Sequence, residues 1–452
     1  LKKYLLFSLI FCIGLVTFYA LGMNQSLASK IYIPKFGNIK TIKGERFGSN
    51  DAFPMPADSN MIHWDAGYYK AIRDYAYKNP ESDSSNNECF YAFFPAFPWI
   101  WKISHVGNVG VIILNALFFL FGSFFVLKAL KFPSQYTLYF ALPSVIIFFI
   151  PYSDALNFFF LGIAVLAWKS NRKLLLFLAL FASALVRPSF TFLLLAFLIN
   201  EVFQFLARPN LKTTLRNSIY LILPLLLATL TVGLIQIQCG SPSIWQFYHA
   251  QKIWGHELAW PTELKDWSTL GFGINLSILI SLLIPLLVIL TLKTIKLIRI
   301  RVKGLMADYT FEDQLFYTSA AYLVGIIGFV LFFRHGSLHC LFRFSLSTPF
   351  ALVFLVLGMK RIQSVNILIR LSWLMGALAI TTILLGRLQF SKEWKWDDLG
   401  FFLYFFVFAQ VLLNKEIPAR IKPILIGIAL VFNWYWTAYL FNWYLNDGWI
   451  FA

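Results

Sequence analysis

Asp65 stands in His63-Trp64-Asp65-Ala66-Gly67-Tyr68-Tyr69, and the proline-broken run Phe93-Phe94-Pro95-Ala96-Phe97-Pro98 follows in the same polar stretch. A carboxylate flanked by aromatic faces is a candidate general base, able to take a proton from a hydroxyl within hydrogen-bond reach. The competing reading is a helix cap, because Asp is favoured at helix starts and residues 65–77 carry helical spacing. That spacing turns Tyr68, Tyr69 and Ile72 toward lipid or core and Lys70, Arg73 and Asp74 toward water, as in a short helix lying on a membrane surface. More ionisable residues sit at the edges of apolar runs: Asp154 after Pro151-Tyr152-Ser153, Arg187 before Pro188-Ser189, and Arg334, His335, His339 and Arg343 in one short stretch. Charges at such positions are costly and usually face a cavity or a partner.

The elements that must position these groups are membrane helices. Of 452 residues 59% are hydrophobic and 13% charged, and the mean hydropathy is +0.69, which excludes a water-soluble globule. Apolar runs near 4–23, 107–127, 135–151, 154–168, 173–187, 189–206, 217–238, 271–292, 315–333, 344–359, 371–387, 399–413 and 423–441 predict an all-α polytopic protein with about thirteen spans of ~20 residues. The runs at 135–151 and 154–168 are short enough to be tilted or re-entrant. The run from Tyr4 resembles a signal peptide in length but lacks a well-formed cleavage site, so a retained first helix is expected.

With the amino terminus inside, the inner connections hold Lys128/Lys131, Lys169/Arg172/Lys173, Arg208/Lys212/Arg216, Lys293 to Lys303, Lys360/Arg361/Arg370 and Lys415/Arg420/Lys422, in keeping with the positive-inside rule. The net charge of +17 therefore reads as topology, and no nucleic-acid partner is expected. The chain is expected to form a single integral membrane domain over 1–452. Its opposite face receives a large first loop, 24–105, with short interfacial helices, a second loop, 239–270, and a short one, 388–398. All six histidines, Asp65, Asp154, Arg187, Arg334 and Arg343 fall on that face. The four cysteines have no metal-site or Cys-x-x-Cys spacing, so neither zinc nor a disulfide is inferred.

The blocks Trp64-Asp65 with Gly67-Tyr68-Tyr69, Phe93 to Pro98, Tyr152-Ser153-Asp154-Ala155-Leu156-Asn157-Phe158, Ala184-Leu185-Val186-Arg187-Pro188-Ser189, and Arg343 ahead of Thr348-Pro349-Phe350 resemble, in order, the PIG-V-type mannosyltransferases of the GT-C membrane glycosyltransferase class. Asp154 stands where that family usually shows Glu, Pro188 interrupts the small polar run after the arginine, and the carboxyl-terminal third offers no matching block. The resemblance implies a GT-C-like fold and transfer, with inversion, of a mannosyl unit from a polyprenyl-phosphate-linked donor to an acceptor on the non-cytoplasmic face.

In such a reaction Asp65 would be the base, and Arg187, Arg334 and Arg343 would grip the departing lipid phosphate, since a guanidinium meets phosphate through two parallel bonds. Trp64, Asp154, His249, Lys252, Trp254, His256, Glu257 and His339 are candidates for holding sugar or acceptor. Asp154 has three open roles besides helix capping: holding a sugar hydroxyl, orienting an arginine, or acting as a second carboxylate. The aromatic residues of 239–270 also fit ordinary interfacial anchoring. No Asp-x-Asp pair stands in a suitable loop, so no divalent metal or other cofactor is expected beyond the lipid-linked sugar donor. Expected partners are that donor, a glycolipid, glycan or protein acceptor, and membrane lipids. A flippase or a noncatalytic envelope-assembly subunit are the alternatives. A bacterial plasma membrane is the expected location, or the endoplasmic reticulum in a eukaryote.

Overall fold

An α-helix rises 1.5 Å per residue, so ~20 residues cross ~30 Å of hydrocarbon, and length separates spanning helices from those that stop short. The structure is a computed structural model that describes residues 2–31, 52–77, 88–130, 140, 144–362, 364–395, 400, 418 and 420–450. Its helices in chain order are α1 (Lys2–Met23), α2 (Gln25–Ile31), α3 (Asp65–Tyr75), α4 (Ala96–Ile103), α5 (Gly110–Leu130), α6 (Asp154–Lys169), α7 (Lys173–Val186), α8 (Phe190–Ala207), α9 (Leu211–Leu221), α10 (Leu223–Gln238), α11 (Gln246–Ile253), α12 (Thr269–Val302), α13 (Phe311–Gly328), α14 (Leu341–Leu346), α15 (Pro349–Ile362), α16 (Ile367–Leu385) and α17 (Ile421–Leu445).

Eight segments among the described residues are long and apolar enough to cross a membrane: Tyr4–Met23, Gly110–Leu130, Phe190–Ala207, Leu211–Gln238, Gly271–Val302, Phe311–Phe333, Leu368–Leu385 and Ile421–Leu445. The protein is thus an integral membrane protein of mostly helical build, with eight such helices where the hydropathy runs predict about thirteen. The difference has identifiable sources. The 154–168, 173–187 and 344–359 runs become α6 with 16 residues, α7 with 14 and α15 with 14. At ~21–24 Å these fall short of the hydrocarbon thickness. The 135–151 run, described only at 140 and from 144, ends in a buried 3-10 turn at Val145–Phe149. The 399–413 run lies outside the described residues except at Gly400.

Packing explains why the short helices stay in place. Helices α5 and α6 pack along one another, α6 along α7, α8 along α13, α13 along α15 and α1 along α17. Gly122 and Gly162 bring α5 and α6 close: a Cβ on Gly162 would stand 2.6 Å from the Gly122 carbonyl oxygen. Such small-residue contacts let membrane helices approach backbone to backbone. Above that contact Phe119 stacks on Phe148 at 4.2 Å, with Phe158 at 5.5 Å from Phe119.

One end of the bundle is basic. There Arg208 pairs with Asp308 at 2.9 Å, Lys360 with Glu312 at 2.9 Å and Arg361 with Asp313 at 2.7 Å, while Lys169 lies over the Phe311 ring. Thr310 and Asp313 form a reciprocal capping box that starts α13 at this end. At the other end lie the start of α6, the end of α7, α14 and the start of α15. Two loops are joined there by a minimal parallel pair, β1 (Glu263–Leu264) with β2 (Gln389–Phe390), the one sheet among the described residues. The first loop folds into α3 and α4 as expected, and Phe94, Phe97 and Trp101 are fully buried. Residues 79–87 of its polar stretch lie outside the described residues.

Candidate functional site

Asp65 opens α3, where the partial positive charge of a helix start favours a carboxylate. Ala66, Tyr69 and Ile72 form the buried face of this helix; Tyr69 and Ile72 lie inward as expected, while Tyr68 is half-buried against Phe93. Arg73 departs from the expected solvated face: its guanidinium lies 4.5 Å from the Trp101 ring centroid and bonds Asp74 and Asn108. The segment before α3 is tied down from both sides. Tyr19 donates to Pro54 O at 2.6 Å, Tyr444 donates to Met61 O at 2.9 Å, and His63 Nδ1 pairs with Asp447 at 3.0 Å. Trp64 is held at φ 54, a region that L-residues avoid. Of the seven described non-glycine residues with positive φ, Trp64, His335, Cys340 and Asp447 belong to the segments around this site, and such strain persists only where neighbours over-determine it.

Four elements then build a chain of charges. Arg343, from α14, donates from Nη1 to Asp65 Oδ2 at 2.8 Å and from Nη2 to Asp154 Oδ2 at 2.9 Å. Arg187, at the end of α7, donates to the other Asp154 oxygen, which also accepts from Ser347 Oγ at 3.1 Å. Asp154 has no exposed side-chain surface, whereas 27% of the Asp65 side chain is exposed. Asp154 is therefore enclosed with two arginines inside the protein, whereas Asp65 is the carboxylate of this cluster with an exposed side. Tyr152 stacks under Arg343, 4.6 Å from ring centroid to guanidinium carbon, and Tyr69 OH shares a 2.6 Å hydrogen bond with Ser153.

Arg334 differs from the other two arginines. It follows a π-helical turn, Phe329–Phe333, that extends α13, and π turns are frequent at functional positions. Its residue is only 4% exposed, yet it makes no ion pair among the described residues, and its Nε lacks a hydrogen-bond partner. Nη1 donates to the His339 carbonyl at 2.7 Å and Nη2 lies against the His339 ring. Burial lowers the Arg334 guanidinium to about 10, which leaves it charged at neutral pH. The three guanidiniums surround one ring, at 5.9, 5.7 and 5.9 Å from the Phe344 centroid for Arg187, Arg334 and Arg343. Gly336 makes the Arg334-to-His339 turn possible, since its φ of 77 favours glycine and any Cβ would collide with Glu263 O.

Burial and then Arg334 push His339 down to about 2 and His256 down to about 3, so both imidazoles are neutral at physiological pH. His256 accepts or donates at 2.7 Å with Gln251 and lies 5.4 Å from the Phe329 ring. Trp254 packs edge-on to Phe93, which stacks on Tyr68 at 4.6 Å. His249 is exposed, and Lys252 and Glu257 face each other at 3.7 Å as exposed side chains, so these three are not drawn into the charged cluster.

Sequence reasoning missed Asp266, Trp267, Ser347 and Trp449. Asp266 accepts from Asn275 Nδ2 at 2.9 Å, and Asn275 Oδ1 in turn holds the Phe342 amide at 2.9 Å beside Arg343. Burial raises Asp266 to about 6. A signal was present, because Ser268 caps α12 by accepting from the Gly271 amide, and Asp266-Trp267-Ser268 reads as a helix entry. Among the described residues no three His, Cys, Asp or Glu side chains are grouped to hold a metal ion. No protein family, curated protein or solved structure matches the chain.

Proposed function

We propose that the protein is an inverting glycosyltransferase that moves a sugar from a polyprenyl-phosphate donor to a glycolipid, glycan or protein acceptor at the non-cytoplasmic membrane face. Mannose is the sugar that the resemblance implies. The observation that carries the reading is the contrast between Asp65, a partly exposed carboxylate, and Arg334, a buried guanidinium that pairs with no carboxylate among the described residues. A buried unpaired cation is costly unless an anion uses it.

In this scheme the acceptor oxygen attacks C1 of the sugar while Asp65 takes its proton. The C1–O bond to phosphate breaks, and its electron pair leaves with the polyprenyl phosphate. Arg334 stabilises that anion, while Arg343 fixes Asp65 through Oδ2 and keeps its orientation toward the acceptor. Arg187 and Asp154 hold Arg343 in place. The chemistry asks nothing of a metal ion.

The test is transfer of radiolabel from polyprenyl-phosphate-mannose by purified protein, with native membrane extract as acceptor. Wild type is expected to transfer label with or without chelator, and Asp65→Asn to be slower by roughly 10²–10⁴-fold, the usual worth of a general base. Equal rates in the two proteins remove Asp65 as base, and absence of transfer by wild type rejects this donor and acceptor pair.

A further inference from the structure

Three indoles from distant parts of the chain converge beside Asp65. Trp64 precedes it, Trp267 precedes α12, and Trp449 follows α17. Their ring centroids lie 5.0 Å apart for Trp64 and Trp449, 5.6 Å for Trp267 and Trp449, and 6.3 Å for Trp64 and Trp267. Neighbouring planes are inclined by 68, 42 and 46°, so the rings form an open corner and not a closed stack. Trp267 is 55% exposed, and His339 stacks on it at 5.0 Å with the planes within 18°. His339 is in turn the group that Arg334 contacts.

Membrane-belt tryptophans are read by a different pattern: each sits singly at the interface with its own face to lipid. Here the three rings contact one another and reach, through His339, the guanidinium that forms no ion pair among the described residues, while Trp64 directly precedes Asp65 in the chain. Trp64 Nε1 is buried and has no hydrogen-bond partner among the described residues, although indole N–H groups usually find one when buried. The corner thus combines an exposed indole, Trp267, one side of which His339 stacks on, with an unmet donor, Trp64 Nε1, on the residue next to Asp65. An aromatic face carries negative quadrupole charge and attracts the weakly positive C–H side of a pyranose, while the ring's hydroxyls remain free to bond at the edges.

We infer that Trp267, cornered by Trp64 and Trp449, is a stacking platform for the pyranose ring of the lipid-linked donor, placed between the phosphate at Arg334 and the base at Asp65. This rests on the glycosyltransferase reading and assigns to it a sugar subsite. The platform works on the sugar alone, so its contribution separates from that of the lipid phosphate.

The experiment compares binding of polyprenyl-phosphate-mannose and sugar-free polyprenyl phosphate to purified wild type, Trp267→Ala and Trp267→Phe in nanodiscs. Wild type is expected to prefer the mannosylated lipid by roughly 3–10-fold, the scale of one aromatic stacking contact. Trp267→Ala should abolish that preference and leave affinity for the sugar-free lipid within about twofold, and Trp267→Phe should restore part of the preference. The platform is overturned if wild type shows no preference, if Trp267→Ala keeps it, or if the alanine variant loses affinity for both lipids equally, which would make the corner a seat for isoprenoid. Binding of the mannosylated lipid alone, with the preference lost in Trp267→Ala, would retain the platform and retire Arg334 as the phosphate site. Binding of neither lipid would reject both.

Discussion

At the scale of residues, two arginines that look alike in sequence should respond oppositely to substitution. Arg343 is the shared partner of Asp65 and Asp154, so Arg343→Gln leaves a fully buried carboxylate short of a partner and is expected to cost about 3–5 kcal/mol of stability, read as a lowered melting temperature in detergent. Arg334 pairs with no described carboxylate, so Arg334→Gln should leave the melting temperature unchanged or higher while donor affinity falls by roughly 10–100-fold, the worth of charge-assisted hydrogen bonds. Histidines 256 and 339 set the pH response. The native state refuses protons that unfolded imidazoles take up below about pH 6.5, so these two groups subtract stability as pH falls from about 6.5 toward 3. Asp266, held at about 6, works the other way and gains stability as pH falls from about 6 to 4. Wild type should therefore melt at lower temperature at pH 5 than at pH 7, and a His256→Gln/His339→Gln protein should show a smaller or reversed difference. The sequence made Asp65, Asp154, Arg187, Arg334 and Arg343 legible because charges at apolar edges need partners. It could not assign who pairs with whom, since Arg343 and Asp65 are 278 positions apart. Trp267 and Trp449 were hidden for a related reason: an isolated Trp at a helix end looks the same whether it faces lipid or another indole.

Among the elements, the charged cluster gathers at the ends of short helices. Helices α6, α7 and α15 share the basic end of the bundle with longer neighbours, through Lys169, Lys173, Lys360 and Arg361. At their other ends stand Asp154, which opens α6, and Arg187, which follows α7, while Ser347 lies just ahead of α15; the three are joined by hydrogen bonds to the Asp154 carboxylate. Hydropathy placed the ends of α6 and α7 to within a residue, 154–168 and 173–187 against Asp154–Lys169 and Lys173–Val186, but not the tertiary ion pairs that satisfy Asp154 and Arg187 there. The α5 to α6 contact that holds the helix opened by Asp154 depends on Gly162. Gly162→Leu is expected to separate the two helices, with an overpacking cost of about 1–3 kcal/mol or more, seen as a lower melting temperature together with loss of transfer.

For the whole molecule, the sequence was most informative about class, since composition alone demands a membrane and the structure supplies eight helices able to cross one. The proposed orientation has a direct check. Single cysteines placed at Lys303 and at Leu258, in a background without the native cysteines, should react with a membrane-impermeant thiol reagent from opposite sides of sealed vesicles, with Leu258 on the non-cytoplasmic side. One further feature bears on how the protein is made. The loop that presents Asp65 is clasped by Tyr444, 383 positions later, and by Asp447 and Trp449 beyond it. At ribosomal rates of ~5–20 residues per second, Asp65 waits roughly 20–80 s between its own synthesis and the arrival of these groups. The Asp65 loop thus stays unclasped until all the described helices have been synthesised, and a ribosome-arrested chain that stops short of Tyr444 holds the carboxylate without the contacts that fix its segment.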